Sequence, residues 1–183
     1  MGKALKLFCF LVAAVLLVAS LVFSQKVYLK NAYPTDYRDY IAEYSEKYEL
    51  DKYFVFAIIR TESNFSKDAQ SSVDARGLMQ ITRETFDWIN GKLNDKDTTF
   101  DDMFLPEKAI EYGCFLLSYL KKELKTENNI LCGYHAGINI AKQWLSDSRI
   151  SRNGEIVNIP YKDTAEYTKK VLKTYEVYQK LYE

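Results

Sequence analysis

The sequence has little histidine and no excess of basic residues, the features that would indicate a histidine-based metal site or a nucleic-acid-binding surface. One histidine stands among its 183 residues, so we expect no histidine-based metal site and no cofactor. The 25 basic residues equal the 25 acidic ones, and without residues 1–24, which hold two lysines and no acid, 23 basic residues face 25 acidic ones. This balance gives no electrostatic surface for a nucleic acid. Repeats and low-complexity tracts are also absent, and the composition favours one globular domain.

Cysteine is scarce as well. Cys9 lies near the start of an apolar run, and it does not resemble a lipoprotein cleavage cysteine because most of that run follows it. Cys114 and Cys132 lie within apolar helical patterns, where buried free thiols are common. Free thiols are therefore the favoured interpretation, and a disulfide on the oxidising side of a membrane stays an alternative.

The one long apolar segment is residues 7–23, LFCFLVAAVLLVASLVF, with lysines on both sides. A cleaved signal peptide usually has a shorter apolar core, and this run continues past the small residues at 18–20 that could serve as a cleavage site. An uncleaved helix that spans the bilayer is therefore favoured. The chain then consists of a membrane anchor or uncleaved signal at 1–24, a tether at 25–34 and a domain at 35–183. The flanking lysine counts are equal, so only the N-terminal amine favours a cytoplasmic N-terminus.

Beyond the tether, apolar periodicity predicts a mainly α-helical domain. Tyrosines and Ile41 recur at helical spacing through 35–48, and Asp51 can cap the next helix. Pro106 suits the first turn of a long helix that runs to about Leu124. The other helices are predicted at 52–62, 78–92, 127–136, 138–147 and 163–182, with a polar loop at 63–77 and a hairpin-type turn at Asn153-Gly154 between short extended pieces.

Glu62 is the first candidate for chemistry. It follows Val55 and Ile58 at positions i, i+3 and i+7 of one helical stripe, so it continues the buried face of its helix. Burial and the negative end of the helix dipole both raise the pKa of a carboxyl, which favours a general acid. The alternative is a helix that ends at this point with Glu62 in solvent.

A second candidate is the stretch ARGLMQIT at 75–82. Gly77 directly before a helix would let the backbone approach a ligand closely, and the amide of Gln80 can donate to one group and accept from another. The alternative is a loop-to-helix junction with Leu78 and Met79 in the core. Neither stretch decides the function alone.

With two later stretches, these motifs resemble those of a known family, the soluble lytic transglycosylase-like domain. Its motifs E-S, G-L-M-Q, A-Y-N-A-G and E-T-x-x-Y correspond, in this order, to Glu62-Ser63, Gly77-Leu78-Met79-Gln80, Gly133-Tyr134-His135-Ala136-Gly137 and Asp163-Thr164 with Tyr167. Each motif is weak by itself, whereas the combination, which spans roughly residues 35–182, is specific. The resemblance implies a lysozyme-like α fold of glycoside hydrolase family 23, here preceded by a single N-terminal transmembrane helix.

The resemblance also implies an activity. Such enzymes cleave the β-1,4 bond between N-acetylmuramic acid and N-acetylglucosamine in peptidoglycan and leave a 1,6-anhydro ring on the muramic acid. By this resemblance Glu62 would first protonate the glycosidic oxygen and then, as a carboxylate, take the proton of the muramic C6 hydroxyl. The implied substrate-binding residues include Gly77, His135, and Ser63 and Gln80, which would orient the acetamido group or hydroxyls. Met79 would pack beneath the sugar subsite, and the hydroxyls of Tyr134 and Tyr167 would approach the carboxyl. Ordinary packing is the alternative for Met79 and for both tyrosines.

Some residues depart from the family pattern. His135 replaces an asparagine and would make activity depend on pH if it faced the substrate, although a local structural role is favoured. Asp74 stands where the family usually has glycine. A second carboxylate there could hold a water for hydrolysis, and a solvated loop residue is the favoured alternative. Asp163 for glutamate and Arg83 for proline are mild changes.

The resemblance places the domain on the extracytoplasmic side of the cytoplasmic membrane, attached by one helix, with peptidoglycan glycan strands as its substrate. Cell-wall or secretion-machinery partners stay open, and no nucleic acid is among the expected partners. Two other functions stay as alternatives, a goose-type lysozyme that hydrolyses the same bond and a non-catalytic module that binds the wall.

Overall fold

The computed structural model describes residues 2–183 and is mainly helical. The chain divides into two compact units. One comprises residues up to Pro34 together with Leu181–Glu183, and the other comprises Thr35–Lys180. The second unit contains every motif identified in the sequence.

Helix α1, Lys3–Ala32, makes up most of the first unit and has no buried residue. Its most apolar 18-residue window has a mean hydropathy of 2.8, so the helix is long and apolar enough to cross a membrane. The helix continues beyond the apolar run at 7–23, and most of the segment expected to be a tether is therefore helical.

The second unit consists of seven α-helices, one 3₁₀ helix and one two-stranded hairpin in the described chain. The helices are α2 (Arg38–Lys47), α3 (Lys52–Glu62), α4 (Arg83–Leu93), α5 (Pro106–Leu124), α6 (Glu127–Ala136), α7 (Ile138–Ser146) and α8 (Lys162–Tyr182). The 3₁₀ helix is Phe100–Phe104, and the antiparallel strands are β1 (Ser151–Arg152) and β2 (Glu155–Ile156).

Local sequence signals fix several helix boundaries. The Asp51 carboxylate accepts a hydrogen bond from the Tyr53 N–H at 2.7 Å, so Asp51 caps α3 as expected. Pro106 occupies the first turn of α5, where its missing N–H costs no helical hydrogen bond. The helices predicted around Gly137 and the turn at Asn153-Gly154 are confirmed.

The prediction of a helix beginning at residue 78 was wrong. Helix α4 begins at Arg83 because the Thr82 side chain caps it by accepting from the Thr85 N–H. Upstream, Arg76 and Ile81 exchange two backbone hydrogen bonds of 3.0 and 3.1 Å, which close residues 77–80 into a turn. The Gly77–Gln80 stretch is therefore a turn of its own, and the helix begins three residues after Gln80.

Helix α5 is the centre of the core and packs against α2, α4, α6, α7 and the 3₁₀ helix. Gly113 in its middle contacts Met79, and a Cβ at this position would lie 2.1 Å from the Met79 sulfur. The turn at residues 77–80 is thus seated directly on α5. Cys114 and Cys132 are buried free thiols, which agrees with the favoured interpretation.

Candidate active site

Glu62 is the last residue of α3 and is half-buried. Residues 54–59 of this helix are all buried, so the apolar stripe carries the carboxyl into the domain rather than into open solvent. Burial raises the pKa of Glu62 to about 7, against the opposing effects of a hydrogen bond from Tyr167 and the positive charge of Lys170. Such a carboxyl exchanges its proton near neutral pH and can act both as an acid and as a base.

Tyr167, on α8, is the hydrogen-bond partner of Glu62. Its hydroxyl donates to Oε1 of Glu62 at 2.7 Å, and the Tyr167 side chain is buried. Burial and the nearby Glu62 carboxylate raise the pKa of Tyr167 well above its usual value, so the hydroxyl keeps its proton and remains a donor.

His135 supports Tyr167 from α6. Its ring lies 4.5 Å from the Tyr167 ring, centroid to centroid, and its Nδ1 is 3.0 Å from Oγ1 of Thr164. Burial lowers the pKa of His135, and the Asp163 charge opposes this shift only in part. The imidazole is therefore neutral near pH 7, and its contacts agree with the local structural role favoured from the sequence.

The Gly77–Gln80 turn is stabilised by hydrogen bonds from the Gln80 side chain. The Gln80 side-chain amide donates to the carbonyls of Ala69 and Gly77 at 3.1 and 3.0 Å. Only its carbonyl oxygen thus remains for a ligand. Gly77 has φ +70°, and a Cβ at this position would lie 1.8 Å from the Met103 carbonyl oxygen. The close backbone approach expected at Gly77 is made to the 3₁₀ helix, not to a ligand.

Two hydroxyls fasten this turn beside Glu62. The Ser63 hydroxyl donates to the Leu78 carbonyl at 2.8 Å, and the Tyr134 hydroxyl donates to the Met79 carbonyl at 2.7 Å. Tyr134 therefore directs its proton to the turn rather than to Glu62, the partner expected from the resemblance. The Met79 side chain has no exposed surface. It therefore belongs to the core, as in the alternative interpretation that placed Leu78 and Met79 there.

Asp74 is bound by its neighbours. Its two carboxylate oxygens accept from Nε and Nη2 of Arg76 at 2.8 and 3.1 Å, and Oδ1 also accepts from Gln70 at 2.6 Å. These hydrogen bonds lower the pKa of Asp74. Arg76 also reaches Asp101 at 2.6 Å and lies 4.0 Å from the Phe100 ring centroid. These hydrogen bonds stabilise the loop, and they occupy the carboxylate that would have to activate a water.

Arg76 and Lys170 were not identified as participants from the sequence, and Thr164 was matched to a motif without an assigned partner. Thr164 binds His135, Arg76 binds Asp74, and Lys170 places a positive charge near Glu62. Lys170 lies three residues after Tyr167 on α8, the spacing at which helical side chains share a face, so its proximity could have been found. Asp74, the partner of Arg76, has a left-handed backbone with φ 59°, which no pattern in the sequence predicts.

Comparisons with known proteins agree with this architecture. The 70 kDa soluble lytic transglycosylase of Escherichia coli superposes with a TM-score of 0.77 and 27% identity, over 83% of this chain and 25% of that one. The lytic transglycosylase Slt of Pseudomonas aeruginosa, solved as an inactive mutant, gives a TM-score of 0.75 and 28% identity, over 84% and 25%. The expected mainly α, lysozyme-like transglycosylase fold is thereby confirmed.

Sequence relatives carry related names. A Haemophilus influenzae protein named after the soluble lytic murein transglycosylases is 31% identical over 173 residues, 89% of this chain and 28% of that protein. Membrane-bound lytic murein transglycosylase C of Edwardsiella ictaluri is 35% identical over 89 residues, 46% of this chain and 24% of that protein. The chain thus spans about a quarter of the length of these relatives.

The family itself is recognised over most of the folded domain. Residues 39–156 match the model of the Transglycosylase SLT domain, which covers more than half of the chain. The resemblance found in the four motifs is confirmed by this match, and the chain belongs to the Transglycosylase SLT domain family.

Proposed function

We propose that this protein is a peptidoglycan lytic transglycosylase that cleaves the β-1,4 bond between N-acetylmuramic acid and N-acetylglucosamine and forms 1,6-anhydro-N-acetylmuramic acid. One observation carries the proposal. Glu62 is a half-buried carboxyl with its pKa raised to about 7, whereas the carboxylate of Asp74 is held by Arg76. A site with one free carboxyl suits a reaction in which the substrate supplies the second group.

In the first step Glu62 gives its proton to the glycosidic oxygen as the C1–O bond breaks. The acetamido group of the muramic acid stabilises the positive charge that develops at C1, so no protein nucleophile is needed. The hydrogen bond from Tyr167 becomes stronger as Glu62 turns into a carboxylate, because a charged acceptor binds a hydroxyl more tightly than a neutral one.

In the second step the Glu62 carboxylate takes the proton of the C6 hydroxyl while that oxygen closes onto C1. Both atoms belong to one sugar ring, and well-oriented intramolecular reactions reach effective concentrations of about 10⁵–10⁸ M. Water at its ordinary concentration competes poorly with such a group. Glu62 ends the cycle protonated, ready for the next strand.

The other residues of the site would hold the substrate and the carboxyl in place. The free carbonyl oxygen of Gln80 would accept from a sugar hydroxyl or acetamido N–H, since its amide donors are used within the turn. Ser63 and Tyr134 would act through the turn that they fasten, and Ser63 keeps acceptor capacity toward a sugar. Through its ring contact with Tyr167, His135 would act as a positioning residue.

Residues Gly77 and Met79 would shape the sugar subsite from below. Met79 fills the space between the turn and Gly113 of α5, and Gly77 lets the turn lie against Met103. The buried Met79 side chain would not touch the glycan directly.

The N-terminal helix and the relatives named as membrane-bound support membrane association. Helix α1 would cross the cytoplasmic membrane once and hold the catalytic domain on the extracytoplasmic side, where peptidoglycan lies. Cell-wall or secretion-machinery partners would bind the protein on this extracytoplasmic side.

The test is a digestion of purified peptidoglycan with the full chain in detergent, followed by mass spectrometry. We expect muropeptides with anhydro ends, lighter by one water than hydrolysis products. Glu62→Gln should release none, while Glu43→Gln, an exposed change on α2, should behave as the unmodified chain. Reducing ends would show a hydrolase, and binding of strands without any product would show a non-catalytic module.

A further inference from the structure

Lys170 lies near the catalytic carboxyl, and no step of the proposed reaction uses it. The Tyr167 hydroxyl donates to Glu62 at 2.7 Å, and Lys170 follows Tyr167 by three residues on α8. Its positive charge acts on Glu62. Because Lys170 is exposed, solvent screens this effect on the carboxyl. The ammonium group is therefore a cation at the catalytic site whose main partner is still to be assigned.

Helix geometry separates Lys170 from the neighbouring lysine of α8. An α-helix turns by about 100° per residue, which places Lys170 about 60° from Tyr167 around the helix axis and Lys169 about 160° from it. Lys169 lines a hollow on the opposite side of α8 together with Leu172, and Lys170 is not part of that lining. Lys170 thus lies at the edge of α8 that faces Glu62.

Lys170 forms no ion pair within residues 2–183. Glu166 stands four residues before it, which is the spacing of a helical ion pair. The Glu166 carboxylate lies instead 3.8 Å from Nζ of Lys162. The ammonium group of Lys170 therefore keeps N–H donors that no acceptor in the described chain uses.

Two arginines close to the catalytic turn already have partners. Arg76 binds the Asp74 carboxylate at 2.8 Å. The guanidinium carbon of Arg83 lies 4.1 Å from the Phe100 ring centroid, which is a cation–π contact. Of these three cations, Lys170 is the one that remains for an anionic ligand at the catalytic carboxyl.

The substrate carries anions at a fixed place. Muramic acid has a lactyl ether on C3 of the same ring whose C1 reacts at Glu62. The lactyl carboxyl group is either free or joined to the stem peptide, which has carboxylates of its own. N-acetylglucosamine carries no such group. A cation at the edge of the cleft can therefore distinguish the two sugars, since a charged donor binds a carboxylate more tightly than a neutral acceptor.

We propose that Lys170 is a specificity residue that binds a carboxylate on the C3 substituent of the muramic acid held at Glu62. In a strand without peptides this is the lactyl carboxylate, and in an intact strand it is a carboxylate of the stem peptide. The contact selects muramic acid over N-acetylglucosamine beside the cleaved bond. This inference rests on the proposed function, because it concerns the same substrate at the same site.

The binding test compares ligands with and without carboxylates. The full chain carrying Glu62→Gln, in detergent, binds them without cleavage, and isothermal titration calorimetry measures each Kd. Two ligands are tetrasaccharides of alternating N-acetylglucosamine and N-acetylmuramic acid, one with stem peptides and one without. The third is the tetramer of N-acetylglucosamine. Adding Lys170→Gln should weaken the binding of muramic ligands about two- to fivefold and leave the tetramer unchanged.

The two muramic ligands distinguish the sources of the carboxylate. A loss with the peptide-bearing ligand alone assigns the contact to the stem peptide, and a loss with the peptide-free ligand assigns it to the lactyl group.

Matched variants separate charge from position. Lys170→Arg keeps the charge and should retain each Kd to within about twofold. Lys169→Gln removes a charge from the opposite side of α8 and should leave every Kd unchanged. Since the proposed contact is electrostatic, 0.5 M salt should reduce the effect of Lys170→Gln.

A kinetic test on the active chain separates binding from chemistry. Interactions that are equal in the ground and transition states alter KM and leave kcat unchanged. At pH 6, Lys170→Gln should therefore raise KM for intact strands about two- to fivefold, with kcat changed by less than about twofold. A fall in kcat at unchanged KM would overturn the assignment, because it would place Lys170 in the chemical step.

This inference and the proposed activity fail in different ways. The role of Lys170 is overturned by equal losses with all three ligands, by no loss with any of them, or by an equal loss from Lys169→Gln, even when the chain releases anhydro products. A loss with muramic ligands alone supports the role even when the chain releases no product, in which case only the transglycosylase activity fails.

Discussion

The Tyr167 hydroxyl and the Glu62 carboxyl are joined by a 2.7 Å hydrogen bond across 105 positions of the chain. This contact opposes the burial that raises the pKa of Glu62. A carboxyl that burial alone would keep protonated is thereby returned to a pKa of about 7, where it can first donate and then accept a proton. The pair, rather than the glutamate alone, sets the working pH.

We expect Tyr167→Phe to shift the pH profile of muropeptide release. The cleavage step needs protonated Glu62, so kcat/KM of the unmodified chain should fall as pH rises through about 7. Removing the hydroxyl removes an interaction that lowers the pKa of Glu62, so this fall should move to higher pH by about one unit. Maximal kcat should drop as well. A profile that stays in place, or moves to lower pH, would show that Tyr167 does not tune Glu62.

Glu62→Gln should stabilise the fold at high pH. The pKa of Glu62 is about 7 in the folded protein, against 4.5 for an unperturbed glutamate, so Glu62 loses its proton at lower pH in the unfolded chain than in the folded one. Between these values folding becomes less favourable as pH rises, and well above pH 7 the loss of folding free energy reaches roughly 3 kcal/mol. Glutamine does not ionise and avoids this cost.

Urea denaturation of both chains between pH 4 and pH 8.5 measures this effect. The variant should be more stable by roughly 3 kcal/mol at pH 8.5, and the difference should disappear below about pH 4.5. Equal stabilities throughout would be inconsistent with a raised pKa for Glu62.

Much of the fold could be predicted from local signals. The helices at α3, α5, α6, α7 and α8 follow from apolar periodicity and from Asp51 and Pro106 at two of their starts. The start of α4 could not be predicted, because the residues LMQIT before it continue the apolar pattern of a helix. The backbone hydrogen bonds between Arg76 and Ile81 and the contact of Met79 with Gly113 override this local pattern, and both are tertiary features.

The candidate site was predictable as a set of residues and not as a set of contacts. Spacing on α3 placed Glu62 on the buried face, and motif order linked it to Tyr167. Which hydroxyl binds the carboxyl is decided by tertiary geometry. Tyr167 reaches Glu62, whereas Tyr134 reaches the Met79 carbonyl, and no sequence pattern distinguishes two tyrosines in a chain that has 15 of them.

Asp74→Asn should leave the reaction products unchanged. The Asp74 carboxylate accepts two hydrogen bonds from Arg76 and one from Gln70, so it has no proton to give and little capacity to activate water. Anhydro ends should make up the same share of the products, and the rate should stay within about twofold. Mass spectrometry of the digest measures both. A rise in the anhydro share on removal of Asp74 would reveal a water-using side reaction.

Gly77→Ala should unfold the turn beneath the site. A Cβ at this position would lie 1.8 Å from the Met103 carbonyl oxygen, and φ is +70°, so the cost should exceed about 3 kcal/mol. Gly137→Ala is the matched control, because Gly137 has φ +92° with open space around its Cβ position. Its cost should be about 1–3 kcal/mol from backbone strain alone. Urea denaturation compares the two, and a larger loss for Gly137→Ala would contradict the contact with Met103.

Lys170→Gln should raise the pKa of Glu62 slightly. The positive charge of Lys170 lowers this pKa, and because the lysine is exposed the shift on its removal should be less than about half a unit. The alkaline fall of kcat/KM should move up by this amount, while Lys169→Gln, the exposed neighbour, should leave it in place. Salt provides a second check, since 0.5 M salt shortens the range of the charge to about 4 Å. The unmodified chain should then shift toward the Lys170→Gln profile, and the variant itself should not respond. A salt response of equal size in both chains would assign the effect to other charges.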